Sequence, residues 1–191
     1  MRTTENSIEE VLAFWFGNTP GERRKAWFEK DTAFDEEIRS RFLPLYESAA
    51  AGSLARWTES AHGALALIVA TDQFARNMFR GSARAFATDP VALATAKRAV
   101  ESGWDKGMLP VERMFVYLPF EHSESLAEQD RSVELFAPLN GFSETSDAVE
   151  YSERHRAIVK RFGRFPHRNA ALGRPGTPAE IEFLKQPGSG F

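Results

Sequence analysis

The sequence predicts an all-α protein with one domain, and three observations carry this prediction. Helix start and stop signals recur along the chain, and apolar residues repeat at helical spacing between them. No segment shows the alternation of apolar and polar residues that is typical of hairpin strands. The chain has 191 residues, 42% of them hydrophobic, and can bury a substantial core. No linker divides residues 1–185, and residues 186–191 are expected to form a flexible tail.

Five helices are predicted in the first half of the chain. The capping box at Ser7 starts the first helix, and Gly17 ends it. Pro44 is expected to kink or split a longer helix, because proline has no N–H donor and clashes with the preceding turn. Asp89 is interpreted as an N-cap, followed by Pro90 at the first helical position. The predicted helices are 7–16, 23–29, 32–51, 61–78 and 89–103.

The second half of the chain continues in the same way. Pro119 is expected to interrupt the apolar segment 110–118, and Gly163 to end a long amphipathic helix. A second capping box, at Thr177, starts the last helix. The predicted helices are 123–136, 145–162 and 177–184. Short connections between successive helices suggest antiparallel hairpins, as in a helical-repeat array, although the tetratricopeptide sequence pattern is not present at its expected period.

Composition and charge exclude several classes of protein. The chain has no cysteine and therefore no disulfides, thiolate metal sites or cysteine nucleophile. A net charge of −3 gives no general attraction to nucleic acid or anionic membranes, and no apolar run is long enough to span a membrane. The first residues resemble neither a signal peptide nor an anchor, so a cytoplasmic protein is expected. The glycine-rich phosphate and dinucleotide motifs are also absent.

Three polar clusters follow apolar segments. The first is 72–77, the second is 121–124, and the third is 154–174, which contains arginines and two histidines but no acid. Because each lies at the end of an apolar run, we expect the three to face a common interior or cleft. The chain has 18 Arg and 6 Lys, and guanidinium groups bind carboxylates or phosphates in a fork geometry.

Two functions fit these clusters. The first is binding, and in its stronger form turnover, of a small anionic ligand, with a histidine as general acid or base. Its candidate ligand-binding residues are Asp72, Arg76, Asn77, Arg161, Arg164, Arg168 and Asn169. Its candidate catalytic residues are His122, His167, Glu121 and Glu124. This reading expects Arg168→Ala to abolish binding with little loss of thermal stability.

The alternative function is a helical-repeat module that binds a peptide or a partner protein, with the polar clusters as a structural ion-pair network. His122, His155 and His167, with Glu121 or Glu124, are ligand types for metals, but the chain has no H-E-x-x-H motif and no Glu-x-x-His pair of the di-iron bundle type. No metal and no cofactor are therefore expected. The basic segment 154–174 carries two phenylalanines, yet the acidic chain as a whole argues against nucleic acid as a partner.

The chain also resembles a known bacterial family, domain of unknown function 924, almost from end to end. The resemblance rests on long irregular strings, which are highly specific for membership. They include Phe14-Trp15-Phe16-Gly17, Asp72-Gln73-Phe74, Met78-Phe79-Arg80-Gly81, Pro119-Phe120-Glu121-His122-Ser123-Glu124 and Arg161-Phe162-Gly163-Arg164-Phe165-Pro166-His167-Arg168-Asn169. The resemblance implies an all-helical, tetratricopeptide-like superhelix and carries no reaction with it. Ala75 stands where the family pattern usually has Pro. Alanine at this position would let the helix continue to Arg76 and Asn77.

Overall fold

The helices account for the whole architecture in this computed structural model, which describes residues 4–17, 19 and 21–190, with the backbone alone for residues 4–7. No strand occurs among the described residues, and the all-α prediction is confirmed. The α-helices are α1 (Thr4–Phe16), α2 (Thr32–Ala50), α3 (Ala61–Ile68), α4 (Ala75–Met78), α5 (Asp89–Glu101), α6 (Pro110–Glu121), α7 (Leu126–Phe136), α8 (Ala148–Phe162) and α9 (Pro178–Phe183). Short 3-10 turns connect many of them.

A π-helical segment, Val69–Phe74, joins α3 to α4, so that residues 61–78 form one continuous helix, as the sequence predicts. Residues 63–75 of this helix are all buried. Helices α1, α2, α5 and α6 pack around it. Trp15 of α1 shows how the core is filled, because its ring meets Phe74 and Phe115 edge-on at 5.7 and 5.4 Å between centroids. The buried helix therefore brings its few polar residues into the interior.

The C-terminal half adds helices in chain order. Helix α6 packs against α7, and α7 packs against α8. Helix α9 returns to α8, where the rings of Phe162 and Phe183 lie 5.1 Å apart. Gly163 has the left-handed conformation, with φ of 71°, which ends α8 as predicted. The stacking of these helices as a tetratricopeptide-like superhelix stays a prediction.

Several predicted boundaries are wrong for identifiable reasons. Helix α2 is not split at Pro44, and α6 is not interrupted at Pro119, because each proline removes only one N–H donor while the neighbouring turns are held by buried side chains. A kink at Pro44 stays a prediction. Helix α1 begins at Thr4, so Ser7 lies inside it rather than at its N-cap. Thr88, not Asp89, is the N-cap of α5, and this frees the Asp89 side chain for other partners.

Candidate functional site

Side chains from all three predicted clusters meet beside the π-helical segment. Asp72 lies in this segment, where the chain inserts an extra residue per turn, a feature that is frequent at functional sites. Glu121 and His122 lie at the C-terminal end of α6, and Arg168 lies in the 3-10 turn after α8. The resulting group, here named the central cluster, consists of Asp72, Arg76, Asp89, Glu121, His122, His155, His167 and Arg168.

Asp72 and His122 form a hydrogen-bonded pair at the centre. Oδ1 of the fully buried Asp72 lies 2.8 Å from Nδ1 of His122 and 3.0 Å from Nη1 of Arg76. Burial alone would raise the pKa of Asp72, but Arg76 and His122 hold this pKa well below its ordinary range. Because an ionised carboxylate only accepts hydrogen bonds, Nδ1 of His122 carries the hydrogen. Burial and the Arg76 charge lower the pKa of His122, so Nε2 keeps its lone pair at neutral pH.

Asp89 joins two arginines at the edge of the central cluster. Arg76 donates to it in a fork, from Nη1 to Oδ1 at 2.8 Å and from Nη2 to Oδ2 at 3.1 Å. Nη1 of Arg168 donates to the same Oδ2 at 3.2 Å. The side chains of Arg76 and Asp89 are 19% and 21% exposed, and that of His122 is 14% exposed. This edge of the cluster therefore reaches solvent.

Arg168 lies between two aromatic rings. Its guanidinium carbon is 4.7 Å from the ring centre of Phe86 and 4.5 Å from that of Phe165, which are distances of cation–π contact. Nη2 donates to the main-chain oxygen of His122 at 2.9 Å. Its buried Nε–H has no acceptor among the described residues, and neither has Nδ2 of the adjacent Asn169. Burial and the Arg76 charge lower the pKa of Arg168 to about 10, which leaves it charged at neutral pH.

Glu121 and His155 form a second carboxyl–imidazole pair. Oε1 of Glu121 lies 3.3 Å from Nδ1 of His155, and both residues are buried. Nδ1 also lies 2.8 Å from the main-chain oxygen of Tyr151, to which it donates. Burial and the charge of Asp72 raise the pKa of Glu121 to about 8. Burial lowers the pKa of His155 to about 3, so both groups are neutral at neutral pH.

His167 lies where the C-terminal residues approach the central cluster. Its ring is 5.5 Å from that of Phe165, and burial lowers its pKa to about 4. A Cβ atom placed at Gly190 would lie 3.7 Å from Cβ of His167. Ser189 donates to the main-chain oxygen of Leu184 at 3.1 Å. The flexibility of residues 186–191 and the domain limits 1–185 stay predictions, and Phe191 lies outside the described residues.

Glu124 lies outside the central cluster and anchors the loop that carries Arg168. Its two carboxylate oxygens accept from Nη1 and Nη2 of Arg174 at 2.7 and 2.9 Å, and Oε1 also accepts from the main-chain N–H of Phe165 at 2.8 Å. Oδ1 of Asn169 accepts from Nε of the same Arg174 at 3.0 Å. These contacts connect Glu124 to the loop that carries Arg168, and its predicted acid–base role stays a prediction.

Three further candidate residues also lie apart from the central cluster. Asn77 donates to Asp35 of α2 at 2.7 Å. Arg164 is held by Glu180 of α9 in a fork with distances of 2.6 and 2.8 Å. Arg161 is exposed, with its guanidinium 4.7 Å from the ring centre of Phe162. A shallow groove of about 490 Å³ lies on this side, lined by Arg161, Phe162, Arg164, Thr177, Ala179 and Glu180. It shares no residue with the central cluster.

Three residues of the site, Asp89, His155 and Phe86, are not among the ligand-binding or catalytic candidates predicted from the sequence, although His155 is named there as a ligand type for metals. The sequence predicts Asp89 to be a helix cap, but Asp89 lies one residue inside the helix, where its carboxylate accepts hydrogen bonds from two arginines. His155 lies in the middle of an amphipathic helix, where only its position on the buried face, three residues before Ile158, marks it. Phe86 gives no signal in the sequence, because its contact with Arg168 depends on the packing of the turn before α5.

Neither a metal site nor a membrane span is found in the described part of the chain. No three or more histidine or acidic side chains lie there in an arrangement that could hold a metal ion. No described helix combines the length and the apolarity needed to cross a bilayer.

Comparison with known proteins gives the chain a family. Residues 11–188 match the sequence profile of a family described as bacterial protein of unknown function, DUF924. The chain belongs to this family. It is also similar to the solved structure of a protein of unknown function from Agrobacterium tumefaciens, with 40% sequence identity, a TM-score of 0.86, and coverage of 96% of this chain and 99% of that one. No curated protein matches it.

Proposed function

We propose that the central cluster binds a small anionic ligand and that His122 is the base through which the ligand can be turned over. The observation that carries the proposal is Arg168, a buried cation whose Nε–H lacks an acceptor among the described residues and whose neighbour Asn169 has a second such donor. Leaving buried donors without acceptors costs about 1–3 kcal/mol each. A ligand oxygen at this point would remove that cost.

The chemistry of the other residues supports the same function. Arg76 and Arg168 share one carboxylate, Asp89, so either guanidinium can shift to an incoming anion without leaving Asp89 unpaired. His122 is held through Nδ1 by an ionised aspartate, the arrangement that orients a histidine as a general base. The lowered pKa of His122, caused by burial and Arg76, keeps that base unprotonated near pH 7.

The test is calorimetric titration of the purified protein with three anions of different shape: sulfate, acetate and succinate. Arg76→Lys keeps the charge but loses the fork to Asp89, so we expect its affinity for the bound anion to fall about tenfold or more. Arg164→Lys is the matched control, because Arg164 makes its fork with Glu180 and lies apart from the central cluster. Its affinity should equal that of the wild type.

Two results would contradict the proposal. One is the absence of binding heat for all three anions at millimolar concentration. The other is an equal loss of affinity in the Arg76 and Arg164 variants, which would place the anion on surface charge in general.

The alternative is a protein-interaction module whose central cluster is a structural ion-pair network. It is favoured by the exposure of large apolar side chains, with Phe28 and Ile181 each 52% exposed. It is also favoured by the mutual neutralisation of two arginines and two aspartates. Under this alternative no anion binds, and a partner protein is retained by the wild type but lost on Phe28→Ser.

The proposal also covers the stacking of the helices, the location of the protein and its partners. The helices are proposed to stack as a tetratricopeptide-like superhelix, and the protein is proposed to act in the cytoplasm. Neither nucleic acid nor a membrane is proposed as a partner, since the net charge of −3 favours neither.

A further inference from the structure

The Glu121 carboxyl is buried without a strong hydrogen-bond donor from the part of the chain that the structure describes. Its residue is 3% exposed, and its polar neighbour among the described residues is Nδ1 of His155 at 3.3 Å. That nitrogen is nearer to the main-chain oxygen of Tyr151, at 2.8 Å, and directs its hydrogen there. A buried ionised carboxylate without a donor is strongly disfavoured, and such a group keeps its proton instead.

The charged and titratable groups around Glu121 give it no compensating cation. His155 faces it from α8 and is neutral, because burial lowers its pKa to about 3. The π-helical segment presents the ionised Asp72, whose charge opposes a second negative charge. Helix α7 contributes Gln129, whose amide donates to the main-chain oxygen of Glu121 at 2.5 Å and not to its carboxyl. The remaining ionisable groups of the cluster are Arg76 on α4, Asp89 on α5, His122 after α6, and His167 and Arg168 in the turn after α8.

We propose that Glu121 is a neutral carboxylic acid at neutral pH and that its ionisation closes the central cluster to anions. The first half of this proposal stands on the burial and contacts of Glu121, and the second half rests on the proposed anion-binding function. With Glu121 neutral, the two arginines of the central cluster form ion pairs with two aspartates, and the formal charges balance. Ionised Glu121 would give the cluster a net negative charge beside the unpaired Nε–H of Arg168.

The direction of the stability effect follows from linkage. Burial and Asp72 raise the pKa of Glu121 to about 8 in the folded protein, against an ordinary value of 4.5. Between these two values the unfolded chain has lost this proton and the folded chain keeps it. Stability therefore falls as pH rises through this window, by up to a factor of about ten in the folding equilibrium constant per pH unit. Glu121→Gln removes the ionisation and keeps the shape of the side chain.

The first experiment needs no ligand. Thermal unfolding of the wild type, Glu121→Gln and Glu124→Gln is followed between about pH 5 and pH 8. We expect the Tm of the wild type to fall relative to that of Glu121→Gln as pH rises. Glu124→Gln is the matched control and should run parallel to the wild type, because burial, which raises the pKa of Glu124, is outweighed by hydrogen bonds from Arg174 and Phe165 that hold this pKa below its ordinary value. Parallel curves for all three proteins would overturn the proposal.

A direct measurement covers the case in which Glu121→Gln does not fold. The carboxyl ¹³C signal of Glu121 in the wild type, assigned through its own side chain, should show the protonated form at neutral pH. The ionised form at neutral pH would overturn the proposal.

The second experiment measures sulfate affinity by calorimetry over the same pH range and above it, since sulfate itself does not titrate there. We expect the affinity of the wild type to decrease as Glu121 ionises and that of Glu121→Gln to stay constant. An identical pH dependence in both proteins would overturn the gating by Glu121. If sulfate does not bind at any pH while the unfolding curves diverge, the anion-binding function fails and the protonated state of Glu121 stands.

Discussion

Replacing Arg168 with alanine should destabilise the protein by about 3 kcal/mol. The change leaves the partly buried main-chain oxygen of His122 without its donor, at a cost of about 1–3 kcal/mol. It also removes the cation from between the rings of Phe86 and Phe165, at about 0.5–1 kcal/mol for each contact. Asp89 keeps its fork with Arg76, which limits the loss. The sequence alone predicts only a small loss of stability for Arg168→Ala, whereas the burial of Arg168 predicts a larger one.

Urea denaturation, or a thermal melt followed by circular dichroism, measures this loss. For a chain of this length, 3 kcal/mol corresponds to a decrease in Tm of roughly 6–12 °C. Arg161→Ala is the matched control, because Arg161 is exposed and its removal should change stability by no more than about 0.5 kcal/mol. The reasoning is refuted if Arg168→Ala loses less than about 1 kcal/mol, or if the two variants lose equal amounts.

Three further predictions concern the helix entry, the C-terminus and acid stability. Gly63→Ala should lower stability by about 1–3 kcal/mol, since its Cβ would lie 2.3 Å from the main-chain oxygen of Trp57; unchanged melting would contradict this packing. Deleting residues 187–191 should raise the pKa of His167 from about 4 towards its ordinary value, because burial is the main cause of the lowered pKa. NMR titration of the His167 ring measures this pKa, and an unchanged value would show that the C-terminal residues do not bury His167. Burial lowers the pKa of His155 to about 3 in the folded protein, so between about pH 6.5 and pH 3 the unfolded chain binds a proton at His155 that the folded protein does not bind. The free energy of unfolding of the wild type should therefore fall more steeply with acid than that of His155→Gln, and equal slopes in urea denaturation would be evidence against this.

Most of the secondary structure could be predicted because its signals are local. Gly163 takes the left-handed conformation that ends α8, and Thr177 forms the capping box of α9 with Glu180. The errors arose where tertiary packing outweighs a local preference. Pro44 and Pro119 both lie inside continuous helices. The π-helical segment has no local signal in the sequence, and the dihedral angles of its first and last residues, Val69 and Phe74, are close to those of an α-helix.

The site could be predicted only in part, because its geometry depends on how distant segments pack. Polar clusters at the ends of apolar runs are expected to converge, and Asp72, His122 and Arg168 do lie close together. The same expectation could not separate them from Glu124, Arg164 and Asn77, whose partners Arg174, Glu180 and Asp35 lie far away in the sequence. The sequence also could not show that the pKa values of the Asp72 and Glu121 carboxyls shift in opposite directions. Asp72 has hydrogen-bond donors around it and Glu121 has no strong one among the described residues, and both facts depend on the fold.

The imidazole ¹⁵N spectrum of the protein during a sulfate titration tests the central claim most directly. The chain has four histidines, and the exposed His62 serves as an internal reference for general salt effects. If the central cluster binds the anion, the His122 signals shift and saturate with sulfate while those of His62 do not. If His122 and His62 respond alike, or if His122 does not respond, the central cluster is a structural network and not an anion site.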